Sequence, residues 1–313
     1  MAINILITGG AGYIGSVLVG KLLNEGRKVT VFDNLLFGGN HLLPFFASPD
    51  FSFIRGDIRN QKEINAAVVG KDIVIHLAAI VGFPACRMNP ELAVEVNIGG
   101  TENVLKACSP EQTIFYGSTG SNYGEVFDIC TEETALKPLS LYGETKTRAE
   151  ELVRERGNSV AYRFATAFGI SPRLRLDLLI NDFTNKCLTD GYLVVYEKNY
   201  MRTFIHVSDI ANCFLFGMKN IDIMRDKVYN VGDDSMNYSK ESICQIIEEK
   251  TKALVHYEEV GQDVDQRNYV VSYNKINDLG FNTTIGVEQG VDEIIEALKV
   301  IRTDDSYNNG RYF

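Results

Sequence analysis

The chain has 313 residues, of which 45% are hydrophobic and 23% charged, and its formal net charge is −10. This length allows a large buried core, and the acidic balance argues against a nucleic-acid surface and against binding to anionic lipid. No apolar run approaches the roughly 20 residues that a membrane span needs, and the first ten residues lack the basic region of a signal peptide. The six cysteines are dispersed without a Cys-x-x-Cys pair, which predicts buried thiols in a reducing cytoplasm and no metal site.

A glycine-rich turn follows the first predicted strand. Residues 4–8 are an apolar run typical of a buried parallel strand, and residues 16–26 have the composition of a helix. Between them, Gly9 would make a tight turn, Gly12 a close backbone approach and Gly15 the helix–strand packing. Such a turn lets N–H groups at a helix N-terminus meet a pyrophosphate, whereas a turn that binds nothing is the alternative. The residues predicted to bind a dinucleotide here are Gly9, Gly12, Tyr13, Ile14 and Gly15.

The second predicted strand, residues 28–32, ends in Asp33. An acidic side chain at this point can accept hydrogen bonds from both ribose hydroxyls and would repel a 2′-phosphate. The sequence therefore predicts NAD rather than NADP as the cofactor, with Asp33 and Asn34 among its contacts.

The third predicted strand, residues 51–54, precedes Asp57 and Ile58. This pair would suit the amino edge and the ring face of an adenine. Asp57 as the N-cap of the following helix is an equal alternative. The fourth predicted strand, residues 72–79, ends in small side chains, which leave room for a flat ligand across the strand tips.

A helix is predicted from Asn89, its N-cap, toward Ala107. Asn97 lies in its middle, four residues before Thr101, where an asparagine is unfavourable without a local partner. Either a helix bend or a cofactor contact would explain this residue.

Hydroxyl side chains follow the fifth predicted strand, residues 113–117. A hydroxyl close to a catalytic base can share a hydrogen bond with a substrate alcohol and steady developing charge. Thr119 is the first choice for this role, Ser118 the second and Ser121 the third.

Tyr142 and Lys146 lie four residues apart in a segment whose composition favours a helix ending at Gly157. Residues at this spacing share one helix face, so the phenol and the ammonium would lie side by side. A cation at that distance lowers the tyrosine pKa from its usual value of about 10 and yields a base that can deprotonate an alcohol. A surface helix that happens to carry both residues is the alternative.

The sixth predicted strand is residues 159–164. The alternation of strands and helices predicts an α/β fold, a Rossmann-type doubly wound parallel sheet with a smaller mixed C-terminal substrate-binding lobe. We expect residues 1–168 to form the NAD-binding domain, with residues 202–228 returning to it. The substrate-binding lobe would then comprise residues 169–201 and 229–313.

Four arginines stand out in the C-terminal half because arginine suits bidentate contact with phosphate oxygens. They are Arg173, Arg175, Arg202 and Arg267. For each one a surface ion pair is the competing interpretation, and Arg202 and Arg267 are the stronger phosphate candidates. The polar tail from Thr303 is predicted to fray.

In this order, the motifs resemble those of the NAD-dependent nucleotide-sugar epimerase/dehydratase family, which belongs to the extended short-chain dehydrogenase/reductases. The similarity covers nearly the whole chain, from the glycine turn to the segment around Arg267. It implies a catalytic group of Thr119, Tyr142 and Lys146, a nucleotide-diphosphate sugar substrate, and homodimers that pair through helices at 89–108 and 142–156. Further cofactor contacts implied by the resemblance are Leu77, Ala78, Ala79 and Asn97, beside Tyr142 and Lys146. The implied substrate contacts are Val81, Thr119, Ser121, Thr166, Asn181, Arg202 and Arg267, with Asn181 and the two arginines holding the diphosphate.

Two departures from the family pattern narrow the reaction. Dehydratases carry Asp-Glu after the catalytic Thr, whereas this chain has Gly120 and Ser121, so water elimination lacks its acid and base. The residues that follow the fourth strand, 80–82, are apolar where related epimerases hold a polar group. The sequence therefore predicts a nucleotide-sugar 4-epimerase, with a 4-dehydrogenase as the alternative and a 4,6-dehydratase less favoured. A non-catalytic NAD-sensing module and a reductase of small ketones are the rival hypotheses.

Overall fold

The computed structural model of the protein describes residues 3–259, 267–301, 303–304 and 307–313. Its strands, in chain order, are β1 Asn4–Thr8, β2 Lys28–Asp33, β3 Phe51–Arg55, β4 Ile73–His76, β5 Thr113–Thr119, β6 Glu125–Cys130, β7 Ser159–Phe164, β8 Thr166–Phe168, β9 Tyr192–Tyr196, β10 Met201–His206, β11 Lys227–Val231, β12 Asn237–Ser239, β13 Leu254–Glu258 and β14 Asn268–Val271. Its α-helices are α1 Tyr13–Asn24, α2 Gln61–Ala67, α3 Phe83–Met88, α4 Pro90–Val94, α5 Thr101–Ala107, α6 Leu141–Arg156, α7 Leu179–Thr189, α8 Val207–Lys219, α9 Ile221–Met224, α10 Lys240–Thr251, α11 Asn274–Asn277 and α12 Val287–Leu298.

Seven parallel strands form the large sheet, in the order β11-β7-β5-β4-β1-β2-β3. Every residue of β4 and β7 is buried, as expected for strands covered by helices on both faces. The order reverses between β1 and β4, and the carboxyl ends of parallel strands open into a crevice at such a point. The predicted doubly wound α/β fold is confirmed.

Two apolar cores lie on opposite faces of this sheet. On one face, Leu18 and Leu22 of α1 pack with Ile210 and Phe214 of α8. The other face is covered by α2, α5 and α6, whose apolar residues form a separate cluster. Since α8 packs against α1 and β11 joins the sheet, the chain returns to the large unit after β10.

The smaller sheets lie beyond the carboxyl ends of the large one. They are a three-stranded sheet of order β12-β10-β8 and two pairs, β13 with β9 and β14 with β6. A third apolar core joins β8, β9, β10, β12 and β13 to α7, α10 and α12, whereas β6 and β14 pack on the core that contains α1 and α8. This mixed part matches the predicted smaller lobe, while the boundaries of the two domains stay a prediction.

The described residues 307–313 pack against the rest of the chain, which differs from the fraying that the sequence analysis predicted for the tail. Residues Asn309–Tyr312 form a 3-10 turn, and Asn309 is buried. The backbone N–H of Leu176 donates to the carbonyl oxygen of Tyr307 at 2.9 Å. Polar composition was a poor guide because the contacts of this segment come from residues more than a hundred positions away.

None of the helices in the described part of the chain has the length and apolar character needed to cross a membrane.

Candidate active site

A cavity of about 790 Å³ runs along the carboxyl ends of the large sheet and reaches the smaller lobe. Most of the predicted site residues contribute to its wall. Those that do are Gly9, Gly12, Tyr13, Ile14, Gly15, Asp33, Asn34, Asp57, Ile58, Leu77, Ala78, Ala79, Val81, Thr119, Ser121, Tyr142, Lys146, Thr166, Arg202 and Arg267. Asn97 and Asn181 are absent from it.

The glycine turn lies closer to the backbone after β4 and to the start of α1 than side chains would allow. Gly9 has a φ of +71°, and a Cβ atom there would lie 2.6 Å from the backbone nitrogen of Ala78. A Cβ atom on Gly15 would lie 2.6 Å from the Cα atom of Gly10. Both positions therefore require glycine if the backbone is to keep this path.

The first helix begins earlier than predicted, at Tyr13, with Gly12 as its N-cap. No side chain among the described residues caps α1, so its first N–H groups face the cavity without a side-chain acceptor. Such groups suit the phosphates of a dinucleotide. The hydroxyl of Tyr13 donates to the carbonyl oxygen of Gly169 at 2.7 Å, which ties this helix start to the smaller lobe.

Asp33 lies at the end of β2 with both carboxylate oxygens held. One oxygen accepts from the backbone N–H of Ala11 at 3.0 Å and the other from that of Leu35 at 2.8 Å. Burial raises the pKa of this carboxyl group. Asn34 points along the same wall and donates to a carboxylate oxygen of Asp57 at 3.2 Å. The place of Asp33 in the cavity suits a ribose, so these residues fit the adenosine half of NAD.

Asp57 is not the helix N-cap that was the alternative in the sequence analysis. That position belongs to Asn60, whose side chain accepts from the backbone N–H of Lys62. Asp57 instead accepts from the backbone and the guanidinium of Arg59, each at 2.9 Å, and these bonds hold its pKa below the usual value despite partial burial.

Asn97 is buried behind the cavity wall and supports it. It does not line the cavity itself, contrary to the prediction that it contacts the cofactor. Its amide bonds both backbone groups of Ile80, accepting from the N–H at 2.7 Å and donating to the carbonyl oxygen at 3.0 Å. It also donates to the hydroxyl of Thr145 on α6 at 3.0 Å. The predicted helix is interrupted here by a π-helical turn, Glu95–Gly100, so the bend is the correct one of the two explanations.

Thr119 and Tyr142 meet at the centre of the cavity. Thr119 ends β5, Tyr142 lies in the first turn of α6, and the threonine side chain acts to lower the pKa of the phenol. Thr119 also donates to the hydroxyl of Ser121 at 3.1 Å. Ser118, the second choice, is buried and donates to Glu150 at 2.6 Å, so its hydroxyl is already committed.

The predicted lowering of the tyrosine pKa is wrong for the ligand-free protein. Burial raises the pKa of Tyr142 to about 12, against smaller lowering effects of Thr119, Arg175 and Arg267. Burial also lowers the pKa of Lys146 to about 7. The ammonium of Lys146 lies 4.0 Å from the centre of the Tyr116 ring. Helical spacing fixed the two residues on one face, but it did not reveal that burial dominates the pKa of each group.

Asn181 is fully buried and is not available to a ligand in this conformation. Its side chain accepts from the backbone N–H of Gly169 at 2.9 Å and donates to the carbonyl oxygens of Gly169 and Arg175, at 3.2 and 2.8 Å. It therefore shapes the turn that follows β8, which is a supporting role.

The sequence analysis underrated Arg173 and Arg175. Both are buried and line the cavity, so they are not surface ion pairs. Arg175 forms a bidentate pair with Asp177, at 3.0 and 2.7 Å. The spacing of Arg175 and Asp177 in the sequence was the only available signal for this pair.

Comparison with known proteins identifies the family. The NAD dependent epimerase/dehydratase family model matches residues 5–232. The chain is 27% identical to a putative UDP-glucose 4-epimerase of Methanocaldococcus jannaschii, over 94% of this chain and 98% of that protein. It is 28% identical to the low-salt glycan biosynthesis protein Agl12 of Haloferax volcanii, over 94% and 97%. The structure of UDP-glucose 4-epimerase from Thermus thermophilus in complex with NAD superposes with a TM-score of 0.81 at 25% identity, covering 95% of this chain and all of that one. The resemblance found in the sequence is thereby confirmed, and this chain belongs to the NAD dependent epimerase/dehydratase family of nucleotide-sugar enzymes, with NAD as its cofactor.

Proposed function

We propose that this protein is a nucleotide-sugar 4-epimerase that oxidises the C4 hydroxyl through Thr119, Tyr142 and Lys146. The observation that carries the proposal is that Thr119 and Tyr142 line one cavity together with the uncapped start of α1, and that Thr119 acts to lower the pKa of the phenol. A base, a hydroxyl to orient the substrate and a dinucleotide site thus share one enclosure. The start of α1 and Asp33 would hold NAD, which would supply the hydride acceptor and donor for the sugar carbon.

Tyr142 removes the proton of the sugar hydroxyl, and Thr119 orients that hydroxyl. Because the phenol of the free protein is protonated at neutral pH, it needs an added cation on ligand binding. Lys146 can supply one by moving its ammonium from the ring of Tyr116 toward the phenol, since both residues lie on the same face of α6. Arg175 and Arg267 already act in the same direction.

The substrate would be held from the smaller lobe. Arg202 and Arg267 line the cavity, and guanidinium groups there suit the diphosphate of a nucleotide sugar. Arg267 donates to the hydroxyl of Ser121, next to the catalytic group, so it would have to turn toward a phosphate when the substrate binds. Thr166 and Val81 complete the wall around the sugar.

The two residues that follow Thr119 bear on the reaction class. Gly120 and Ser121 occupy the 3-10 turn after β5, and neither offers a carboxylate for eliminating water. A 4-epimerase and a 4-dehydrogenase would use the same groups, and they differ in whether the keto sugar leaves.

Two copies would pair through α4, α5 and α6, a proposal that sedimentation analysis of the purified protein would test.

The test is to incubate the purified protein with UDP-, dTDP- and CDP-sugars in deuterated buffer and to analyse the products. Formation of the C4 epimer without accumulation of NADH supports the proposal, whereas NADH formed in proportion to a released 4-keto sugar identifies a dehydrogenase. A 4-keto-6-deoxy product with deuterium at C5 would identify a dehydratase and overturn the proposal.

A matched pair of variants tests the base. Tyr142→Phe should lower turnover by about 10²–10⁴-fold. Tyr192→Phe, a change at an exposed tyrosine of β9 outside the cavity wall, should leave turnover unchanged. Full turnover in the Tyr142 variant would remove Tyr142 from the mechanism.

A further inference from the structure

The segment 307–313 crosses the mouth of the cofactor half of the cavity. It is anchored at one end by the bond between the backbone N–H of Leu176 and the carbonyl oxygen of Tyr307. At the other end it contacts α3, and Phe313 packs on the apolar core next to that helix. Between these points, Asn309 and Gly310 line the same cavity as the glycine turn and Asp33.

The loop after β2 meets the segment from the opposite side. The ring of Phe37 lies edge-on to the ring of Tyr312, with centroids 5.0 Å apart, and also contacts Phe313 at 6.3 Å. Phe37 itself lines the cavity. The segment and this loop therefore meet above the crevice and narrow its opening.

Arg173 lies under this junction. Its side chain is buried, and its guanidinium stands 4.6 Å from the centre of the Phe37 ring. It donates to the carbonyl oxygen of Leu174 at 2.7 Å and to the side-chain oxygen of Asn309 at 2.8 Å. Both acceptors are uncharged, and the carboxylate whose charge acts on Arg173, that of Asp177, already forms a bidentate pair with another arginine. Two buried guanidinium groups that share one carboxylate leave positive charge uncompensated, which indicates that an anion belongs there.

The position of Arg173 relative to α1 indicates which anion. Its backbone N–H donates to the hydroxyl of Ser16 in the first turn of α1, at 3.4 Å. The hydroxyl of Ser171 donates to the carbonyl oxygen of Tyr13 at 2.7 Å. Arg173 therefore lies beside the uncapped helix start, where the phosphates of a dinucleotide are bound in folds of this kind.

We propose that residues 307–313, Phe37 and Arg173 form a clasp over the bound dinucleotide, in which Arg173 binds the pyrophosphate and Asn309 holds the guanidinium in place. This deepens the proposed function and rests on it. An epimerase restores its NAD within each turnover and has no need to exchange it, whereas a dehydrogenase has to release NADH every time. A closed clasp therefore suits the epimerase.

The experiment measures the rate at which NADH leaves the preloaded protein, by stopped-flow fluorescence after mixing with excess NAD. Arg173→Gln, Asn309→Ala and a deletion of residues 307–313 are compared with wild type. Loss of a charge-assisted hydrogen bond of about 1.5–3 kcal/mol predicts release faster by roughly 10–100-fold for the arginine variant and the deletion. Asn309→Ala should give a smaller increase. Arg311→Gln, an exposed arginine of the same segment that is not on the cavity wall, is the matched control and should release NADH at the wild-type rate.

The outcomes separate the two proposals. Release within about twofold of wild type for both Arg173→Gln and the deletion, with a nucleotide sugar still epimerised at C4, would overturn the clasp and leave the proposed function standing. Faster release in these variants, in a protein that epimerises no nucleotide sugar, would support the clasp and overturn the proposed function. Asn309→Ala keeps the test valid if the deletion does not fold, because it removes a single side chain.

Discussion

Lys146 and Tyr116 form a cation–π pair at the floor of the catalytic site, with the ammonium 4.0 Å from the ring centre. Tyr116 lies on β5 and is buried, and its hydroxyl finds no hydrogen-bond partner among the described residues. The ring of Tyr116, rather than its hydroxyl, is therefore the part that acts on Lys146. It stabilises the ammonium form, which burial of the lysine disfavours.

The first prediction separates the ring from the hydroxyl. Tyr116→Phe should keep turnover and should leave stability equal or higher by about 1 kcal/mol, since it removes an unsatisfied buried hydroxyl. Tyr116→Leu removes the ring, so the pKa of Lys146 should fall below about 7 and the basic limb of the kcat/KM profile should move to lower pH. Superimposable pH profiles for the two variants would contradict a role for the ring.

The second prediction concerns the pH dependence of folding. The pKa of Lys146 is about 7 in the folded protein and about 10.4 in an unfolded chain, so between these values the unfolded state binds more protons. The contribution of Lys146 to stability therefore rises with pH from about 7 to about 10 and is constant below about 7. Lys146→Met removes the titration, so this variant should be the more stable protein at neutral pH, and its advantage should shrink as pH rises. The measurement is the melting temperature of both proteins across that range, and parallel curves would refute the shifted pKa.

A buried ion pair fixes the catalytic helix to the sheet. Arg163 of β7 and Glu150 of α6 are 2.6 Å apart, with side chains 3% and 1% exposed. Glu150 also accepts from the hydroxyl of Ser118, the residue before Thr119. The pair thus connects the strand end that carries Thr119 with the helix that carries Tyr142.

The third prediction follows from this arrangement. Glu150→Leu or Arg163→Met alone leaves one charge buried without its partner and should lower the free energy of unfolding by about 3–5 kcal/mol. The double variant should lose less than the sum of the two, because no uncompensated charge remains. Urea unfolding of the four proteins gives the coupling free energy. Additive losses would mean that the two side chains act independently.

Local patterns were enough to predict the large sheet and the residues at its edge. The apolar runs of β1 and β7, the glycine turn before α1 and the spacing of Tyr142 and Lys146 all depend on neighbours within a few positions. Such features are specified by the periodicity of strands and helices.

What the sequence could not reveal depends on contacts between distant positions. Asn97 and Asn181 looked like ligand contacts, yet their amides bind backbone groups of Ile80 and Gly169. The amide of an asparagine can form hydrogen bonds with a ligand or with a nearby backbone equally well. Only the folded structure shows which of the two it binds. Arg173 likewise depends on Asn309, which is 136 positions away.

The fourth prediction tests Thr119 apart from its neighbour. Thr119 donates to Ser121 at 3.1 Å, lines the cavity together with Tyr142 and acts to lower the pKa of the phenol. Thr119→Val keeps the shape and removes the hydroxyl, and should lower kcat by about 10²-fold while NAD affinity stays the same. Thr119→Ser should stay within a few-fold of wild type because it retains the hydroxyl.

Ser121→Ala distinguishes a direct role of Thr119 from one that acts through the serine. If Thr119 touches the substrate, the alanine variant should lose much less activity than Thr119→Val, since the hydroxyl of Thr119 is retained beside Tyr142. Equal losses in both variants would place the essential hydroxyl at Ser121, to which Arg267 also donates. Thr119 would then be a positioning residue, and the sugar hydroxyl would be oriented by the serine between the threonine and the arginine.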